Sequence, residues 1–158
     1  YWPIASGSGT PDIWIYSLST QQSEPLIEGE SSYSQAQFSP DARYVVYTSD
    51  ESGRNEVFAQ AIQGGARWQV STAGGSDPSW RNDGLEIIYR DPSSRVMAVT
   101  LGGYPQSLEL GTPRELFTLD GIVVTGDATR DHQRFLFATH SEVNSEPIYV
   151  ILNWTAGL

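Results

Sequence analysis

Short apolar runs separated by turn residues make up most of this chain. The runs "IWIYSL", "YVVYTS", "EIIYR", "VMAVTL", "RFLFAT" and "IYVIL" are rich in β-branched and aromatic residues, and polar turn-forming residues bound them. No stretch sustains apolar residues at the i, i+3, i+4, i+7 spacing of an amphipathic helix, so the pattern predicts an all-β fold. Several runs place apolar residues in succession where a sheet with one wet face would alternate. Neighbouring side chains on a strand point to opposite faces, so these pairs predict strands covered on both sides.

The runs recur in register. Ser39–Tyr47 ("SPDARYVVY"), Arg81–Tyr89 ("RNDGLEIIY") and Thr129–Phe137 ("TRDHQRFLF") align on Asp41, Asp83 and Asp131, at spacings of 42 and 48 residues. Apolar pairs follow at Val45-Val46, Ile87-Ile88 and Phe135-Leu136, then an aromatic at Tyr47, Tyr89 and Phe137. Three residues before each Asp stand Phe38, Trp80 and Ala128. A further strand begins after a polar loop at Glu56, Arg95 and Pro147, and "PDIWIYSL" matches that strand. A last short strand closes each unit at "EPLIE", "RWQVS" and "RELFT". In such a turn an Asp accepts hydrogen bonds from backbone N–H groups two residues on, and Gly84 suits a position that needs positive φ. Four-stranded antiparallel units repeating every 40–50 residues point to a β-propeller.

On "FSPDARYVVYTSDESGRNEVF", "WRNDGLEIIY" and "SGTPDIWIYSL", the chain resembles the WD40-like (PD40) propeller repeats of TolB-type proteins. The ending "IYVILNW" is similar to the C-terminal strand of propellers attached to bacterial signalling proteins, including some Ser/Thr kinases. The resemblance covers nearly the whole chain and implies a scaffold or sensor role in a larger protein outside the cytoplasm. It also leaves a second expectation, the propeller of a prolyl-oligopeptidase-like serine peptidase whose nucleophile lies in a separate domain. A repeat of this kind identifies a fold more sharply than a function.

The predicted units are blade remnants at 1–29, a blade at 30–72, a blade at 73–119 and an incomplete blade at 120–158, all in one domain. That makes roughly three and a half blades, whereas closed propellers have about four to eight. The chain is therefore expected to be a piece of a longer propeller or one half of a ring closed by a homodimer. A lone open arc would leave an unpaired strand edge.

Composition narrows the partners. With 158 residues, 19 Asp plus Glu against 9 Lys plus Arg and a formal charge of −10, the chain lacks the basic footprint that nucleic acid or an anionic membrane demands. No apolar run approaches the ~20 residues of a membrane-crossing helix, and "YWPIASGSGT" does not read as a signal peptide. There is no cysteine, hence no disulfide or thiolate metal site. The acidic loop Ser49–Glu56 lacks calcium-loop spacing, and no cofactor is expected. Of the two histidines, His132 reads as a turn residue and His140 as a strand end; no nucleophile elbow accompanies them, since "SGSGT" aligns with a hairpin loop. The chain is thus expected to be non-enzymatic.

The candidate site follows from the repeat. In a propeller the first strand of each unit lines the central channel. Six and four residues before the three aspartates stand Gln35 and Gln37, Asp77 and Ser79, Thr125 and Asp127, all polar. These six are expected to line a wet channel and bind a protein, peptide or small ligand at its mouth, with Trp2 and Tyr33 nearby. Asp77→Ala and Asp127→Ala are then expected to weaken binding and spare stability. Trp14, Trp68, Trp80 and Trp154 are expected to pack between blades, and "NWT" is a chance glycosylation match.

Overall fold

A computed structural model describes residues 12–119, 122–140 and 151–152, with side chains for 12–119 and 126–138. Trp2, Ser6–Thr10 and Asn153–Thr155 lie outside the described residues, as do the side chains of Thr125 and His140. The described chain is all-β and every strand pairing in it is antiparallel. The first sheet pairs β1 (Ile13–Ser17) with β2 (Gln22–Ile27). The second runs β3 (Tyr33–Phe38), β4 (Tyr44–Ser49), β5 (Glu56–Ala61) and β6 (Arg67–Gln69) in sequence order. The third orders β7 (Ser76–Trp80), β8 (Glu86–Arg90) and β9 (Arg95–Gly102). Both β10 (Glu109–Leu110) and β11 (Arg114–Thr118) pair with the outer side of β9, along different halves of it. The fourth comprises β12 (Ile122–Ala128), β13 (Arg134–His140) and β14 (Ile151–Leu152).

The apolar pairs explain how these sheets stack. Val45 and Tyr47 join Ile27, Tyr33 and Phe58 in a core between the first and second sheets. The alternate residues Tyr44 and Val46 join Trp80, Ile87, Tyr89 and Val99 in a core between the second and third. Ile88, Val96 and Ala98 meet Phe135, Phe117 and Phe137 between the third and fourth. The Val45-Val46 and Ile87-Ile88 pairs thus each feed two different seams, as a strand covered on both faces requires. A fully buried Val, Leu, Ile or Phe contributes about 1.5–3 kcal/mol, so the seams, rather than any single sheet, hold the arc together.

At the two ends the rule breaks. Ile13 packs into the first seam, while Trp14 on the opposite face of β1 is 54% exposed, with Tyr16 and Leu18 beside it. Phe135 is buried but Leu136 is 61% exposed. The expectation that Trp14 packs between blades is therefore wrong for the described chain, and so is two-sided burial of the Phe135-Leu136 pair. The reason is the same in both cases: no described sheet stands beyond either face. Trp68 and Trp80 do pack in a seam, around the Tyr44 ring at 5.9 and 6.5 Å.

The repeat turns behave as their sequence predicts. Asp41, Asp83 and Asp131 each accept the N–H of the residue two further on, from Arg43 (3.1 Å), Leu85 (2.9 Å) and Gln133 (3.1 Å). Each also accepts from the side chain two residues earlier, Ser39, Arg81 or Thr129. The residue after the Asp has positive φ in all three turns: Ala42 at 55°, Gly84 at 74° and His132 at 54°. At Gly84 a Cβ would also run into the Tyr104 ring, so glycine answers two demands there.

His132 does more than complete its turn. Its imidazole is buried and its Nδ1 lies 3.2 Å from Oε1 of Glu86, on the neighbouring sheet. The Glu86 carboxylate also meets Arg81 (3.4 Å) and Arg114 (3.2 Å). Burial pushes the Glu86 carboxyl up, but the His132 hydrogen bond and the charges of Arg81, His132 and Arg114 outweigh it and hold the group below the ordinary carboxylate range. The seam between the third and fourth sheets thus has an ionic as well as an apolar part.

Candidate functional site

The first strands of the second, third and fourth sheets converge on one pocket of about 230 Å³. Gln35, Gln37, Asp77, Ser79 and Asp127 line it, together with Arg90; Ile88, Val96, Phe135 and Phe137 supply an apolar side reaching into the third seam. Five of the six residues picked out by the repeat register therefore meet around one cavity, and β12 carries the sixth, Thr125.

Local backbone explains how the inner strands present these groups. The pairing of β3 with β4 shifts register between Ser34 and Gln37, and that of β7 with β8 between Ser76 and Ser79. Inside those irregularities Gln35 and Asp77 take φ of 55° and 54°. A bulge re-aims the side chain of the extra residue, and here it turns Gln35 and Asp77 toward each other across two sheets.

Gln35 and Asp77 are consequently committed to the protein. The Gln35 amide nitrogen donates to Asp77, while its carbonyl accepts the Asp77 N–H (2.9 Å) and the Thr48 hydroxyl (2.7 Å). Asp77 in turn accepts both Nε (2.9 Å) and Nη2 (2.5 Å) of Arg90. The expectation that Asp77 is dispensable for stability does not fit this arrangement, because its removal would strip Arg90 and Gln35 of their partner.

The other residues keep unfilled capacity. Gln37 uses its carbonyl on the Trp80 N–H (2.8 Å), linking the second sheet to the third, and no described residue meets its amide nitrogen. No described group bonds the Ser79 hydroxyl. Among the described residues, Asp127 accepts only the N–H of Ala128 (2.8 Å). Repeat arithmetic accounts for the difference. Seven residues after the turn aspartate stand Thr48, Arg90 and Ala138. The first two donate to Gln35 and Asp77, six residues before it, whereas Gln37, Ser79 and Asp127 stand opposite Val46, Ile88 and Leu136, whose side chains cannot donate.

Sequence reasoning missed Arg90 and the apolar side formed by Phe135 and Phe137. The signal for Arg90 was that same position seven residues beyond the aspartate, where a donor can face the inner strand. Tyr33, expected near the mouth, instead starts β3 as a buried core residue 6.1 Å from the Tyr47 ring. The carboxylates of the Ser49–Glu56 loop are dispersed among separate partners. Asp50 accepts the Ser32 N–H, Glu51 pairs with Arg67, and Glu56 holds Arg54, Ser71 and the Gly74 N–H.

No known protein-family profile matches the chain. The "Uncharacterized peptidase YuxL" of Bacillus subtilis (strain 168) is 32% identical over 84 residues, 51% of this chain and 13% of that protein. TolB from Acinetobacter baumannii superposes with a TM-score of 0.60 at 20% identity, over 87% of this chain and 34% of that one. An oligogalacturonate lyase in complex with manganese gives 0.62 at 14% identity, covering 89% and 40% of the two chains. A prolyl endopeptidase gives 0.52 at 14% identity, covering 80% and 22%. The chain spans less than half the length of each of these proteins. At these identities the structural likeness speaks for the fold alone: the chain is a partial β-propeller of the kind found in TolB.

Proposed function

We propose that the chain is a non-enzymatic interaction module, a propeller segment that binds a peptide, a protein or a small ligand on its channel side. The observation that carries this reading is the pocket at which three successive inner strands meet, with hydrogen-bonding capacity left on Gln37, Ser79 and Asp127. The polar residues of a channel wall need only water; a polar wall set against an apolar side is the arrangement of a ligand site. In the parent protein the module serves as scaffold or sensor, placed outside the cytoplasm, as the TolB likeness suggests. The test is a fragment and short-peptide screen read by amide chemical shifts on the 158-residue chain. Hits moving the resonances of β3, β7 and β12 support the reading. Hits confined to the outer strands or the end faces contradict it.

The stretch of similarity to a peptidase favours a second reading. There the propeller belongs to a serine peptidase, and its channel side faces a separate hydrolase domain that carries the nucleophile. The flanking gene sequence separates the two. A downstream G-x-S-x-G region supports the peptidase, and an upstream kinase or membrane-spanning segment supports the sensor.

A further inference from the structure

The geometry points to a ligand class for the pocket: an organic cation on a short apolar stem, such as a lysine side chain or a free alkylamine. This inference rests on the pocket being a binding site at all. Two carboxylates and one guanidinium line it, and Arg90 spends two nitrogens on Asp77. The pair leaves the Asp127 carboxylate as the uncompensated charge of the lining. No ion pair reaches Asp127 among the described residues, and its cross-strand neighbour is the apolar Leu136.

Three further features favour a cation with an apolar body. The far wall is apolar and aromatic, formed by Ile88, Val96, Phe135 and Phe137, so a bare metal ion or a fully polar ligand would leave it unfilled. Aromatic faces also attract ammonium and guanidinium groups. At about 230 Å³ the pocket falls below the roughly 300–1,000 Å³ of drug-sized sites, which suits one side chain or a small amine. Finally, the chain's −10 charge steers cations toward it and repels anions. An anionic ligand would have to meet Asp127 with Arg90 already occupied.

The experiment titrates the chain with n-butylammonium, its neutral isostere n-butanol, and the peptide acetyl-Gly-Lys-Gly-amide, following the amide signals of Gly126, Asp127 and Ala128. The proteins compared are wild type, Asp127→Asn and, as a surface-charge control outside the pocket, Glu109→Gln. The expected result is binding of the amine and not the alcohol, weakened about tenfold or more in Asp127→Asn and unchanged in Glu109→Gln. Tighter binding of the peptide than of the free amine assigns the cation to a protein partner; the reverse assigns it to a small metabolite. Equal binding of amine and alcohol, or an unaffected Asp127→Asn variant, overturns the cation while leaving a channel site in place. Silence of the inner-strand amides toward every probe overturns both the cation and the channel site.

Discussion

At the scale of single residues, equivalent positions of the repeat have diverged into different jobs. Gln35 and Asp77 occupy the same place six residues before the turn aspartate, and both are spent on holding the second and third sheets together. Asp127, at the place of Gln37 and Ser79, carries a charge that no described neighbour compensates. Asp77→Ala is expected to lower stability by about 1–2 kcal/mol, since it strands a guanidinium and an amide. Asp127→Ala should stay within about 0.5 kcal/mol, as surface changes do. Urea midpoints of the two variants check this, and equal losses would mean that Asp127 also has a structural partner. The turns allow another residue-level prediction. Ala42 adopts a φ of 55° that costs an L-residue roughly 1–2 kcal/mol. Ala42→Gly should therefore raise the unfolding free energy by about 0.5–1 kcal/mol, after the greater freedom of glycine in the unfolded chain is deducted. A loss of stability would show that the Ala42 methyl makes a contact worth more than the strain.

At the scale of strands and seams, burial follows the pleat, and substitutions on one strand should show it. Phe135→Ala empties a buried site and is expected to cost about 3–5 kcal/mol, and Ile87→Ala about 2–5. Leu136→Ala, one residue along and exposed, should be nearly neutral. Chemical denaturation of the three variants reads the register directly, and a costly Leu136→Ala would put a covering sheet against that face. The ionic part of the third seam predicts a pH dependence. The folded Glu86 carboxyl lies below its unfolded value of about 4.3. Its contribution is therefore complete above that value and is lost as the pH falls through the lowered one. Glu86→Gln should be less stable than wild type by about 1–3 kcal/mol near neutrality, with the gap closing on acidification. A gap that stays constant from pH 7 to pH 3 would show that the charge on Glu86 does not matter.

For the whole molecule, the feature that decides behaviour is the pair of end faces that no described sheet covers. Trp14, Tyr16 and Leu18 project from one end and Leu136 from the other, on sheets whose opposite faces are sealed in seams. Further blades of a longer chain would cover these faces, and so would a second copy that closes a ring. Light scattering on the isolated chain separates the two. A stable particle of twice 17.4 kDa is the outcome expected for a ring of two halves. A monomer, or heterogeneous association that Trp14→Glu disperses, is the outcome expected when the missing blades belong to the same polypeptide.

The amino-acid sequence by itself determined the class of fold, the repeat and the place of the inner strands. Those properties are local and periodic: an Asp turn, an apolar pair and a fixed offset recur, and each follows from backbone geometry and side-chain alternation. Five of the six candidates the sequence marks line one pocket, because offset from the turn sets which strand a residue occupies. What only the tertiary structure decided is which of those polar groups are already used. Arg90 reaches Asp77 from a neighbouring strand, and Gln35 reaches it from a different sheet. The same holds for His132, whose turn was legible while its Glu86 partner, 46 residues away, was not. Whether a polar side chain is free or spent depends on contacts between strands, and those exist only once the sheets have stacked.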